Sequence, residues 1–497
     1  MRTLIVVLLL RCLASADDQK FPNEFKFGVA TSAYQVEGAW NVNGKGQNIW
    51  DTATHYNNFI VDNSTGDVAC DAYHKTDTDV NLLKNLGVHF YRFSISWSRI
   101  LPYGFANDTN PDGIHYYNNL INKLLQNGIQ PMVTIFHWDL PQSLQDLGGW
   151  TNPLMSDYLL DYAKVLFNQF GDRVKYWITI NEAQILCTGG YEGSPLMKLA
   201  PDYNSPGIGP YLCGHTLLIS HYKVYRYYQK HLKEKQKGKV GITHQSIWYE
   251  PNSKNKDDVN AAETKLQFEL GWFAHPIFSK YGDYPSVMKQ RIGRLSKEQN
   301  YPRSRLPTFT MHEIRELRGS ADFLGYNHYT TRICKPGTNA TQPSLESDAG
   351  VTCFQNSSWP SSSAPWLKVV PWGFRKILNW IRTQYNNIEV IVTENGFADR
   401  GDINDCGRVK YMNSYLEELR DAINKDGCNV TAYIAWSFID NFEWASGYTQ
   451  KFGLYHVDFN SPNRTRTAKR SSYNYQNIIK TGKIDKNYQP PGFQKCT

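Results

Sequence analysis

Eight short β-rich runs recur along the chain, most of them separated by a helix-patterned stretch. No other feature restricts the fold as much. The runs are "FKFGVATSA", "HFYRFSISW", "QPMVTIFHW", "VKYWITINE", "KVGITHQS", "ADFLGYNHYT", "IEVIVTENGF" and "VTAYIAWSFI". Between the first two, "DTDVNLLKNLG" sets Val80, Leu83 and Leu86 at helical spacing and stops at Gly87, a residue suited to a helix C-terminus. "HYYNNLINKLLQNG" repeats the design, with Gly128 leading into the next strand; "PWGFRKILNWIRTQYN" and "RVKYMNSYLEELRDAINKDG" precede the seventh and eighth strands. Strands alternating with helices predict a parallel sheet. Eight such units predict a closed (β/α)8 TIM barrel instead of an open doubly wound sheet. The stretches near 40–75, 185–215, 245–320 and 331–365 are expected as loops and excursions at the C-terminal face, and "NSSWPSSSAPW" at 356–366 as a flexible surface loop. No GxGxxG or Walker sequence follows a strand, which removes the usual nucleotide-binding case.

The first residues, "MRTLIVVLLLRCLASA", combine a basic start, an apolar run and a small-x-small end, the pattern of a secretory signal peptide over residues 1–16. The remainder, 17–497, is expected to form one domain. Six N-x-S/T sequons at Asn63, Asn107, Asn339, Asn356, Asn429 and Asn463 fit export and glycosylation. The expected destination is extracellular, with no membrane span, since the leading apolar run is too short to cross a bilayer. An oxidising compartment permits disulfides, and Cys187/Cys213, Cys334/Cys353 and Cys406/Cys428 are plausible local pairs that sequence alone does not settle. No CxxC, HExxH or EF-hand spacing points to a metal. The net charge of +7, about +5 without Arg2 and Arg11, is spread along the chain. Its one basic run, 230–239, reads as an exposed helix end and not a nucleic-acid site. A homodimer is compatible with the sequence.

In a (β/α)8 barrel the working groups come from the C-terminal ends of the strands. Here those ends offer Gln35, Arg92, His137-Trp138, Asn181-Glu182, Asn327-His328-Tyr329, Glu394-Asn395 and Trp436. An apolar strand tip bearing Asn-Glu has a plain reading as a solvated end, and Asn-Gly after Glu394 reads as a tight turn. Two carboxylates at matching ends of the fourth and seventh strands outweigh both. Glycosidic bond cleavage needs one carboxylate to attack the anomeric carbon and one carboxyl to protonate the leaving oxygen. A shared site supplies the difference, because the first negative charge raises the proton affinity of the second group. Arg92 and Tyr329 are candidates for keeping the nucleophile charged. The content of 14 Trp and 32 Tyr suits stacking on sugar faces.

These residues carry a resemblance to family 1 glycoside hydrolases, the β-glucosidase family, and within it to secreted animal members. It runs from about Phe21 to about Tyr473. "FKFGVATSAYQVEGAW" matches the family's N-terminal signature, "TENG" at 393–396 its nucleophile motif and "NFEWASGY" at 441–448 its sugar-binding loop; "YRFSISWSRI" and "HWDLPQ" match its second and third strands. The resemblance implies Glu394 as nucleophile and Glu182 as acid/base in a retaining double displacement, with the carboxyls about 5–5.5 Å apart. It implies Asn181 on the sugar 2-hydroxyl, Gln35, His137 and Trp444 on the 3-hydroxyl side, Gln35 and Glu443 on the 4-hydroxyl, Glu443 on the 6-hydroxyl and Trp436 under the ring. Trp138, Asn327 and Phe452 complete the expected substrate-binding set. No cofactor is implied; the partner is a small β-glucoside or short oligosaccharide. A carboxylate at 443 would also repel a 6-phosphate.

The match departs at the fourth strand, where Thr-Ile-Asn-Glu-Ala replaces the family's Thr-Phe-Asn-Glu-Pro. Ala183 frees a torsion and restores an N–H beside Glu182, which is expected to loosen the acid/base. Retention of Glu182 favours O-glucosides over the Gln-bearing plant thioglucosidases, although animal thioglucosidases of similar sequence keep the Glu. The leading expectation is therefore a retaining β-glucosidase. The alternatives are a thioglucosidase acting on glucosinolates and a catalytically weak sugar-binding homologue.

Overall fold

The computed structural model describes residues 19–56, 59–193, 197–338 and 342–496. The expected signal peptide and the Asn339 sequon lie outside them. The eight β-rich runs form eight parallel strands: β1 Lys26–Ala30, β2 Phe90–Ser94, β3 Gln130–Phe136, β4 Tyr176–Asn181, β5 Lys239–Gln245, β6 Leu324–Asn327, β7 Val390–Glu394 and β8 Val430–Trp436. They close in the order β1-β8-β7-β6-β5-β4-β3-β2, so β1 pairs with both β2 and β8. This is the predicted (β/α)8 barrel.

The outer layer follows from local pattern. Helix α1 Thr76–Leu86 buries Val80, Leu83 and Leu86 and ends on Gly87 in the left-handed region, φ 79°. Helix α2 Pro111–Gln126 starts with Asn110 capping the Asp112 N–H and proline in the first turn, where its missing N–H is not needed. Its buried Tyr117, Leu120, Ile121 and Leu124 form one stripe against the barrel. Helices α3 Met155–Phe170, α4 Ala183–Tyr191, α5 Gly209–His231, α6 Trp372–Gln384, α7 Cys406–Asn424 and α8 Arg470–Thr481 complete the main circuit.

The stretches expected as irregular hold more order than their composition suggests. Residues 245–320 contain helices Lys256–Leu266, Trp272–Phe278, Ser286–Glu298 and Met311–Leu317. Trp248–Pro251, Thr331–Pro336 and Val351–Phe354 form a separate three-stranded sheet, stapled by Cys334–Cys353. Cys187–Cys213 also forms as expected. The pairing of Cys406 with Cys428 does not: Cys406 bonds Cys496, and Cys428 is a buried free thiol. Cys406 opens α7 and Cys428 lies just past its far end, so a helix of roughly 28 Å separates them. A disulfide needs Cα atoms within about 7 Å. Among the described residues no helix is long and apolar enough to cross a membrane. The five described sequon asparagines are all exposed.

Candidate active site

Six strands deliver polar side chains to the C-terminal rim, and buried Arg92 on β2 organises them. Its Nη1 donates to Glu394 Oε1 at 2.6 Å and to the Thr393 carbonyl at 3.0 Å; Nη2 donates to Asn181 Oδ1 at 2.6 Å and Nε to Thr134 Oγ1 at 3.2 Å. A guanidinium only donates, so it dictates how its neighbours face. Asn181 turns its oxygen to Arg92 and its amide nitrogen to His137 Nε2, 3.1 Å away. That nitrogen must accept, which leaves the His137 proton on Nδ1. Burial and the Arg92 charge hold the ring neutral, its pKa well below the ordinary value. Trp138, in the left-handed region at φ 73°, donates Nε1 to the Asn181 carbonyl at 2.9 Å.

The two carboxyls have unlike surroundings. Glu394, at the tip of β7, takes Arg92 on Oε1 and the Tyr329 hydroxyl on Oε2 at 2.7 Å. Burial, then the charge of Glu394, hold the Tyr329 phenol well above its ordinary pKa, so it remains a donor. A donor on each oxygen suits an anion. Glu182 follows β4 with a left-handed backbone, φ 45° and ψ 55°, uncommon for any residue with a Cβ. Its carboxyl accepts from Asn327 Nδ2 at 2.6 Å. Burial, then the negative charge of Glu394, push its pKa well above the usual carboxylate range, opposed by the Asn327 hydrogen bond and by Arg92. One acid is supplied with donors while its neighbour is kept protonated.

The backbone around both is pinned. The Glu182 N–H donates to the Thr243 carbonyl at 2.9 Å, and its own carbonyl accepts from the Leu186 N–H at 3.1 Å. These bonds act against the loosening expected from Ala183, which is fully buried at the start of α4. After Glu394, Asn395 Nδ2 donates to the His328 carbonyl at 2.6 Å and to the Tyr411 hydroxyl oxygen at 2.9 Å, while its Oδ1 accepts from Tyr433. Gly396 is required by close approach and not by a turn: a Cβ there would sit 1.9 Å from the Trp436 carbonyl oxygen.

A second cluster adjoins this one. Gln35 Nε2 donates to Asn441 Oδ1 at 3.0 Å, the Phe442 carbonyl at 2.9 Å and Glu443 Oε2 at 3.3 Å; its Oε1 accepts from Ser32. Burial, then Glu394, push the Glu443 carboxyl up to about 8, offset in part by bonds from Gln35 and Trp436. Burial and the Glu394 charge thus favour the protonated form of Glu443, which donates as well as accepts. Trp444, φ 49°, packs 4.8 Å from Trp138, and His137 stacks at 6.0 and 6.2 Å from Trp444 and Trp436. Phe452 lies edge-on to Tyr329 at 6.2 Å.

All thirteen expected site residues thus belong to one connected network. Sequence reasoning passed over Thr393, Ser32 and Asn441, although Thr393 stands in "TENG" and Asn441 in "NFEWASGY". It also passed over Trp366, which sits 5.6 Å from Tyr329 at the rim. The segment read as flexible is tied down on both sides of this ring: the Trp366 carbonyl accepts from Gln355 Nε2 at 2.6 Å, and the single Ser363 hydroxyl proton lies between Gln450 Oε1 at 2.7 Å and the Asp399 carbonyl at 2.9 Å. No periodic signal marks such a tether.

Comparison with known proteins agrees with this geometry. Residues 17–484 match the family described as "Glycosyl hydrolase family 1". The chain is 47% identical to "Myrosinase 1" of Brevicoryne brassicae over 470 residues, 94% of this chain and 100% of that one. It resembles the solved structure of an aphid myrosinase with TM-score 0.90 and 46% identity, covering 93% and 100% of the two chains. A rice β-glucosidase mutant, solved in a covalent complex with Glc, aligns with TM-score 0.86 and 39% identity over 92% and 99% of the two chains.

Proposed function

We propose that this chain, which belongs to glycosyl hydrolase family 1, is a secreted retaining β-glucosidase that hydrolyses β-D-glucosides through a covalent glycosyl-enzyme intermediate. The observation that carries the proposal is the asymmetry between Glu394 and Glu182. Glu394, with Arg92 and Tyr329 on its two oxygens, attacks the anomeric carbon. Glu182 gives its proton to the glycosidic oxygen as that bond breaks. Glu394 is now an ester and its negative charge is gone, so the field that raised the Glu182 pKa weakens. Glu182, left as a carboxylate that accepts from Asn327 and feels the charge of Arg92, takes a proton from the water that attacks the anomeric carbon and frees Glu394.

Asn181, fixed by Arg92, is positioned in this reading for the 2-hydroxyl. Gln35 and His137 address the 3-hydroxyl side, Glu443 the 4- and 6-hydroxyls, and Trp436 the face of the ring. The apolar, basic-led N-terminus and the exposed sequons support secretion and glycosylation. The test is inactivation by a 2-deoxy-2-fluoro-β-glucoside followed by mass mapping of the adduct. Labelling at Glu394 is expected; labelling elsewhere, or none on an enzyme that turns over glucosides, refutes the assignment.

The 47% identity to Myrosinase 1 favours a second reading, a thioglucosidase. Release of glucose from a glucosinolate as fast as from the best O-glucoside would promote it above the first.

A further inference from the structure

We propose that Thr393, the residue before Glu394, is a positioning residue for Glu182 that acts through the side-chain amide of Asn327. Asn327 was expected to touch substrate, yet protein groups occupy both ends of its amide. Nδ2 faces Glu182 Oε1 at 2.6 Å and Asn181 Oδ1 at 3.4 Å, while Oδ1 accepts from Thr393 Oγ1 at 2.6 Å. Its side chain is fully buried.

The direction of this chain of bonds follows from Arg92. Because Arg92 only donates, Asn181 Oδ1 is turned toward it and toward Asn327. The Asn327 amide therefore has an acceptor on its inner side from Asn181 as well as from Glu182, and its nitrogen must face them. Its oxygen is left toward β7, where Thr393 supplies the hydroxyl proton. The Thr243 hydroxyl lies 3.2 Å from Thr393 Oγ1 and can donate to it in turn, leaving the Thr393 proton for Asn327.

The consequence is a lock on the charge preference of Glu182. With its oxygen held by Thr393, Asn327 can only donate to Glu182, which favours the carboxylate and restrains the upward pull of burial and of Glu394. Without the Thr393 hydroxyl, Asn327 Oδ1 is buried and unpaired. The amide is then no longer braced against Glu182, its hydrogen bond to the carboxylate weakens, and burial and Glu394 raise the Glu182 proton affinity further, so the proton the leaving group needs is retained. Thr393 thereby ties the tuning of the acid/base to the strand that carries the nucleophile.

The inference rests on Glu182 being the proton donor, and the experiment separates the two. Measure kcat/KM against pH for wild type, Thr393→Val, Thr393→Ser and Glu182→Gln, on phenyl β-glucoside and on 2,4-dinitrophenyl β-glucoside. Thr393→Val should move the basic limb up by about one pH unit and lower the phenyl-to-dinitrophenyl ratio about tenfold. Thr393→Ser keeps the hydroxyl and should retain the wild-type limb and ratio. Thr393→Val losing rate equally on both substrates with the limb unmoved, or Thr393→Ser behaving like valine, overturns the proposal. Thr393→Ala, judged by the same outcomes, serves if valine is not accommodated. Glu182→Gln without leaving-group dependence refutes the proton-donor reading itself; with that dependence present and Thr393→Val unchanged, only the positioning role fails.

Discussion

Replacing Glu443 with glutamine should stabilise the protein by an amount that grows with pH. Burial, and behind it the charge of Glu394, raise this carboxyl from an ordinary 4.5 to about 8. Each tenfold change in proton affinity is worth about 1.4 kcal/mol, so folding disfavours the ionised form by about 5 kcal/mol. A carboxyl whose folded pKa lies above its unfolded one is protonated in both states at low pH. As pH rises past 4.5 the unfolded chain ionises first, and stability falls until the folded group ionises near 8. The loss is about 1 kcal/mol at pH 5 and about 4 kcal/mol at pH 8. Glutamine matches the side chain in size and cannot ionise. Urea unfolding of both proteins at pH 5 and pH 8, followed by tryptophan fluorescence, should show the variant gaining about 3 kcal/mol on wild type between the two conditions. A difference that does not change with pH refutes the reasoning. The same variant should bind glucosides less well, because site residues of this kind exchange stability for function.

Tyr329→Phe removes the donor on Glu394 Oε2 and should lower kcat about 100-fold, measured on an activated aryl glucoside. Cys496→Ser opens a disulfide spanning 90 residues and should lower unfolding free energy by about 2–5 kcal/mol, seen as a fall in Tm. Arg305→Met strands Asp348, which it holds at 2.7 and 2.6 Å in a fully buried pair, and should destabilise by about 3–5 kcal/mol in urea.

The barrel was legible because its signals are local. Val80, Leu83 and Leu86 on one helical face, Gly87 at the stop and β-branched runs between such helices require no knowledge of what packs where. The same holds for the site's membership: once strands are parallel in a barrel, Arg92, Asn181, Glu182 and Glu394 at their C-terminal ends must share one rim. Motif residues followed from the family resemblance, which is itself a pattern in order. Trp366 was not legible, since its place beside Tyr329 and Phe452 belongs to a loop tied down by Gln355 and Ser363 hydrogen bonds that leave no period.

By itself, then, the order of residues determined the elements, their circuit and the set of groups delivered to the cleft. Tertiary structure alone decided that Cys406 meets Cys496 across the tail and not Cys428 along a rigid helix. It also decided that burial and Glu394 push the Glu443 carboxyl above the usual carboxylate range, and that Thr393 faces the Asn327 amide. The physical reason is common to these: periodicity and turn chemistry act between near neighbours in the chain, whereas desolvation, Coulomb fields and side-chain hydrogen bonds depend on distance in space, which exists only once the barrel has closed.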